Sequence, residues 1–178
     1  MNKLEVTLRP IEESDADNIV RWRNTNEVRR NLFSRSLLTK EQHLNYYRTV
    51  VCSGKCKQFI ITIKEQNEID IGTVFLKNVD LNDLQAEFGI FIGESAGRGK
   101  NCSLPATEQI LRIAFREMGL VRVYLYVVED NAPAIKTYLR AGFREINREP
   151  DGFSREDVSL DVIKMEITAE DWRRMHNE

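Results

Sequence analysis

The sequence has few cysteines, only two histidines and no long apolar run, and each shortage removes a class of protein. Cys52, Cys56 and Cys102 cannot all pair within the chain, and such sparse usage suits a reducing compartment, so disulfides are not expected. Cys52 and Cys56 stand four residues apart, but His43 and His176 lie at no metal-ligand spacing, so the expectation is buried or half-buried thiols and no metal. No apolar stretch approaches the roughly 20 residues needed to span a bilayer. The opening Met1-Asn2-Lys3-Leu4-Glu5 lacks the apolar centre of a secretory signal, and a cytoplasmic location is expected. Net charge is small as well. At −2, from 26 Lys and Arg against 28 Asp and Glu, the chain has no overall attraction for nucleic acid or an anionic membrane. The first 57 residues differ, with eleven Lys or Arg against seven Asp or Glu; this locally basic third suits an anionic small molecule, or is a solvated face.

What is present is enough for one core. With 178 residues and 42% hydrophobic content, a single domain over 1–178 is expected. Leu4, Val6 and Leu8 alternate with polar neighbours up to Pro10, the pattern of a half-buried strand. A helix follows with Ser14 as its expected N-cap and a stripe through Ala16, Ile19, Val20 and Trp22. Thr39, with Gln42 three places on, opens a second helix in a capping-box pattern, and His43, Tyr46 and Tyr47 share one of its faces. Strands are predicted over 58–63, 69–76 and 86–92, separated by a turn at 65–67 and a loop at 78–82. Helical spacing returns from Leu104 to Phe115 and stops at Gly119. A strand over 121–128, a helix over 132–141 closed by Gly142, strands over 143–147 and 158–167, and a short helix capped by Thr168 complete the chain. This order fits an α+β arrangement around a mixed sheet.

The chemistry concentrates in two blocks. Ile90-Phe91-Ile92-Gly93-Glu94-Ser95-Ala96-Gly97-Arg98-Gly99-Lys100-Asn101 is a strand, a glycine-containing turn and the approach to an apolar helix expected to begin near Asn101. Gly97 and Gly99 permit close backbone approach, the helix N-terminus presents N–H groups and a positive dipole end, and Arg98 and Lys100 add charge. Such a turn suits a pyrophosphate, although a bland tight turn has the same spacing. The second block runs from Val127-Val128-Glu129-Asp130-Asn131 through Ala134 and Tyr138 to Gly142-Phe143.

Together, in this order and separation, the two blocks resemble the GNAT acetyltransferases, and the resemblance extends over nearly the whole chain. It implies the GNAT fold: a central mixed, mostly antiparallel β-sheet of about seven strands with helices on both faces. It also implies acetyl-CoA as co-substrate and direct transfer of the acetyl group to an amine, without an acyl-enzyme. Ala96 stands where the family usually has Gln or Arg, and Asn101 where it has Gly or Ala; contacts made by backbone N–H should survive both changes. By resemblance, backbone donors near Phe91 and Ile92 hold the thioester carbonyl, and Asn131 binds the cofactor or fixes the strand end. From helical pattern alone Asn131 is equally a helix cap. Tyr138 matches the residue that protonates the departing thiolate, although its helical position by itself reads as a core-packing tyrosine. Glu87 matches the acidic residue that deprotonates the amine, with His43 as a second candidate base, or water.

Trp22-Arg23-Asn24, then Val28-Arg29 and Phe33, then Glu41-Gln42-His43-Leu44, resemble two branches of the family. One acetylates amino sugars carried on nucleotides; the other acetylates protein N-termini, notably of ribosomal proteins. The resemblance favours the first and makes Trp22, Arg23, Asn24, Phe33 and His43 candidate acceptor-binding residues and a nucleotide-linked amino sugar the expected acceptor. A homodimer is compatible with the sequence, which leaves the oligomeric state open. A non-catalytic CoA-binding module is the alternative outside enzymology.

Overall fold

Alternation along the chain becomes strand because one face of each segment is buried: in residues 85–92, Ala86 and Phe88 are buried while Gln85, Glu87 and Gly89 are not. The computed structural model describes residues 4–64 and 67–177, so Glu65 and Gln66 of the expected turn lie outside the described residues. The described residues form seven strands: β1 (Glu5–Pro10), β2 (Lys57–Lys64), β3 (Glu68–Asp80), β4 (Gln85–Ile92), β5 (Arg122–Val128), β6 (Arg144–Arg155) and β7 (Val158–Thr168). They make one sheet in the order β1-β2-β3-β4-β5-β7-β6, antiparallel throughout except for β4 with β5.

Six α-helices flank the sheet among the described residues: α1 (Ala16–Arg23), α2 (Asn26–Arg29), α3 (Lys40–Tyr46), α4 (Ser103–Arg112), α5 (Ala132–Arg140) and α6 (Ala169–His176). Side chains of successive strand residues point to opposite faces. Ile61 and Phe88 therefore join the larger core with Leu111, Tyr138 and Trp172 from α4, α5 and α6, while Ile60 and Phe91 join a smaller one with Ile19 and Trp22 from α1.

The helix starts follow side-chain capping. Thr39 and Gln42 exchange hydrogen bonds at α3, Gln42 N–H donating to Thr39 Oγ1 (3.2 Å) and Thr39 N–H to Gln42 Oε1 (2.9 Å). At α6, Asp171 N–H donates to Thr168 Oγ1. The entry to α1 differs from expectation: Glu12 and Asp15, not Ser14, form the capping box, because Asp15 is held from the other side by both outer nitrogens of Arg9 (2.9 and 2.7 Å). The four-residue α2, capped by Thr25, is too short to leave a period in the sequence. Strand β6 runs well past the predicted 147 because it is an edge strand, where Pro150 and a polar run are tolerated and pairing shifts register between Glu149 and Phe153. No helix of the described residues is long and apolar enough to cross a membrane.

Candidate active site

Strands β4 and β5 pair only at their beginnings, through Gln85↔Arg122, Ala86↔Val123 and Glu87↔Tyr124. Beyond Glu87, β4 stays with β3 as far as Ile92↔Gly72, and β5 stays with β7 as far as Val128↔Val162. Each strand keeps its outer ladder, so parting leaves the inner backbone groups of 88–92 and 125–128 facing a cleft. A cavity of about 750 Å³ opens there.

The turn at its mouth is built from two glycines with different tasks. At Gly97 a Cβ would stand 2.6 Å from Ile71 Cδ1, so this position needs the absence of a side chain to pack the turn onto the sheet. At Gly99 the space is open but φ is +71°, a left-handed conformation that glycine adopts without strain. Asn101 is left-handed too (φ 57°), which asparagine tolerates better than most residues. For that reason α4 begins at Ser103, two residues later than the sequence suggested. Arg98 Nη2 donates to the Gly93 carbonyl (2.9 Å), and its Nη1 lies 4.0 Å from Glu27, so part of its charge serves the turn itself. Phe91, Ile92, Gly97, Arg98, Gly99 and Asn101 all line the cavity; Lys100 is exposed on the same turn, off the lining. Backbone openings of this kind, next to a helix start, fit the linked phosphates of a coenzyme.

Asn131 lines the cavity from the end of β5. It precedes α5, but its side chain makes no capping bond; its carbonyl instead accepts from the amides of Ala134 and Ile135. The capping alternative is thereby removed. Tyr138, about two helical turns on, is wedged edge-on against Phe88 (centroids 5.7 Å) and tilted against Phe143 (5.9 Å). Its hydroxyl has no protein hydrogen-bond partner among the described residues, and burial pushes its pKa upward, so it is a neutral phenol on the cavity wall.

Glu87 lies at the last paired position before the strands part, its side chain 15% exposed. Both carboxylate oxygens are held: Lys77 Nζ is 2.9 Å from Oε1, and Asn78 Nδ2 donates to Oε2 at 2.9 Å. Asn78 reaches it because β3 loses regular register after Lys77 and Asn78 takes a left-handed φ of 51°. Sequence reasoning passed over Lys77 and Asn78. The cross-strand pairing that brings them to Glu87 is a register relation, and the only local hint was the polar loop after residue 77.

Of the candidate acceptor residues, only Phe33 reaches the cavity; it is 48% exposed and meets Phe153 of the β6–β7 hairpin edge-on at 5.6 Å. Arg155 of that hairpin donates to the Arg30 carbonyl and pairs with Asp130, tying the hairpin over the loop after α2. The other four expectations are corrected. Trp22 is 1% exposed, and its indole N–H donates to Glu94 Oε1 (2.7 Å). Arg23 donates to the Ser34 carbonyl (2.8 Å), and Asn24 clamps Leu38 through both its N–H and its carbonyl. His43 is 4% exposed, away from the cavity lining. Arg23 and Asn24 thus hold the 34–38 segment, although Arg23 Nη1 is buried without a hydrogen-bond partner among the described residues, while Trp22 and His43 are enclosed in the protein.

Burial lowers the His43 pKa, with the Asp15 carboxylate partly opposing. The unfolded ring, near 6.5, then binds protons more readily than the folded one, so stability is present above that pH and is lost as pH falls through the folded value. The unfolding free energy from denaturant titrations between pH 7 and pH 5 should fall for the wild type, by up to about 1.4 kcal/mol per pH unit from this group. His43→Gln should flatten that slope.

Part of the basic character of the first third is likewise engaged. Arg9 binds Asp15 and Asp70, Arg21 binds Glu94, Lys40 binds Asp17 and Arg48 binds Glu13, while Arg29 donates to the Arg35 carbonyl. Among the described residues no group of three or more His, Cys, Asp or Glu could hold a metal ion.

Residues 5–144 match the profile of the family described as "Acetyltransferase (GNAT) domain". The chain is 24% identical over 163 residues to a spermidine N(1)-acetyltransferase of Vibrio cholerae, covering 92% of each chain. It is 24% identical over 147 residues to an N-acetyltransferase 9-like protein of Caenorhabditis briggsae, covering 78% of this chain and 74% of that one. The crystal structure of a Vibrio cholerae spermidine N-acetyltransferase in complex with CoA and spermine superposes with a TM-score of 0.86 at 23% identity, covering 94% of this chain and 97% of the other.

Proposed function

The chain belongs to the GNAT acetyltransferase family, and on that premise we propose that its acceptor is a flexible aliphatic polyamine, acetylated at a primary amine by direct attack. It is an acetyl-CoA-dependent N-acetyltransferase. Bound acetyl-CoA supplies an activated acyl thioester; the protein supplies position and protons.

One observation carries the reading: where β4 and β5 part, a neutral phenol from α5, Tyr138, and a carboxylate from β4, Glu87, stand on the walls of one cavity. Glu87 takes a proton from the acceptor ammonium, which has no lone pair until it does so. Tyr138 returns a proton to the sulfur side, and backbone N–H groups near Phe91 and Ile92 steady the developing oxyanion. The turn around Gly97 and Gly99, with Arg98, Lys100 and Asn101, holds the phosphates, and Asn131 the coenzyme arm at the end of β5.

Two lines support a polyamine. Arg9, Arg21, Arg29 and Arg48, four of the arginines that favoured a diphosphate-bearing acceptor, are engaged by carboxylates or a backbone carbonyl, and the likeness to spermidine acetyltransferases spans nearly both chains. The competing acceptor is a nucleotide-linked amino sugar, whose base would stack on the exposed Phe33 ring.

Thiol release from acetyl-CoA is the test, run with spermidine, spermine, nucleotide-linked amino sugars and short peptides. Turnover of the polyamines well above the rest is expected. Turnover confined to the sugars or peptides overturns the acceptor while leaving the chemistry, and release with none of them favours the non-catalytic alternative. With the best amine, Glu87→Gln should lower turnover at neutral pH by about tenfold or more and regain it as pH rises, because the free-amine fraction then grows without a base. An unchanged pH profile moves deprotonation to water.

A further inference from the structure

We propose that Lys77 is itself an acetyl acceptor, so that without a free amine the enzyme modifies a lysine on the wall of its own cavity. The inference rests on the roles of Glu87 and Tyr138 given above. Lys77 and Glu87 are direct cross-strand partners, so their side chains stand on the same face of the sheet. Lys77 Nζ lies 2.9 Å from Glu87 Oε1, and Lys77, Glu87 and Tyr138 line the same cavity. A primary amine therefore occupies the place at the carboxylate that an acceptor amine must take.

The pair is also able to open. The Lys77 side chain is 40% exposed, so its ammonium is hydrated as it leaves the carboxylate. Its flexible four-carbon stem then gives the amine a range of positions inside the cavity. Asn78 keeps hold of Oε2 meanwhile, so the carboxylate does not move with the lysine.

The step balances without a further reagent. Glu87 takes one proton from the Lys77 ammonium, and the freed amine attacks the thioester carbonyl carbon. The C–N bond forms, the C–S bond breaks, and the thiolate takes the Tyr138 proton. The second amine proton restores the phenol and Glu87 releases its own to solvent, leaving acetyl-Lys77, free CoA thiol and one proton. The amide carries no charge, so Glu87 loses its cation partner and the cavity loses acceptor space.

Purified full-length enzyme incubated with acetyl-CoA and no acceptor should gain the mass of one acetyl group, mapped by peptide fragmentation to Lys77. The gain should be suppressed by a saturating amount of the best amine in the panel and be absent in Lys77→Arg. In Tyr138→Phe it should be at least about tenfold slower. Scattered acetylation of exposed lysines at equal rates in wild type and Tyr138→Phe would be solution chemistry and overturns the proposal. An unmodified Lys77 in enzyme that turns over the panel amine overturns this inference alone; no modification and no turnover overturns the reading of the site with it.

Discussion

Tyr138→Phe should lower kcat by about 10²–10⁴-fold, with little change in stability or in affinity for acetyl-CoA. The ring is held by Phe88 and Phe143, contacts that phenylalanine reproduces. The hydroxyl satisfies no protein group among the described residues, so its removal leaves no orphaned partner. What disappears is a proton. An ordinary phenol near 10 gives its proton uphill to a thiolate near 8.5, a deficit of roughly 2 kcal/mol. Burial raises the tyrosine further, yet it disfavours the thiolate anion in the same cavity for the same reason, so the mismatch does not grow in proportion. Thiol-release kinetics measure the loss, while thermal unfolding and calorimetric titration with acetyl-CoA check that nothing else changed. Equal turnover in the two proteins would remove Tyr138 from the mechanism.

The largest loss of stability is expected at Trp22. Trp22→Ala should cost about 3–5 kcal/mol, the range for deleting a large buried aromatic. It should also raise the KM for acetyl-CoA. The indole is the surface on which the phosphate turn begins: a Cβ at Gly93 would stand 2.1 Å from Trp22 Cγ, and Glu94 accepts from the indole N–H. Arg21 pairs with the same carboxylate, and the bonds from Arg21 and Trp22 hold the Glu94 pKa down. Denaturant unfolding gives the stability, and Trp22→Phe separates ring from N–H. If Phe restores stability but not KM, the hydrogen bond to Glu94 positions the turn; if Ala changes neither quantity, the indole is not its support.

Much of this was legible in the sequence because it is local. The β4 alternation, the Thr39–Gln42 capping box, the Thr168 cap and the Gly119 and Gly142 stops are decided within a few residues by backbone sterics and unpaired amides. The glycine-containing turn and the Asn131–Tyr138 block are short motifs, and both contribute residues to the cavity lining, Gly97 and Gly99 from the one and Asn131 and Tyr138 from the other.

Long-range contact decided the rest. Trp22, Arg23, Asn24 and His43 have the chemistry of ligand-binding residues, but whether an indole meets a ligand or Glu94, 72 positions away, depends on how two cores close over a sheet. The arginines of the first third read as free charge until their carboxylates, including Asp70 and Glu94, arrive from elsewhere in the chain. Glu87 was visible as a carboxylate on a strand, whereas its grip by Lys77 and Asn78 follows from pairing register and one left-handed residue. Sequence determines which segments become strand, helix and turn, since those choices are made between near neighbours. Tertiary structure alone assigns each charge and each ring a partner, because in a packed chain that partner is set by distance in space.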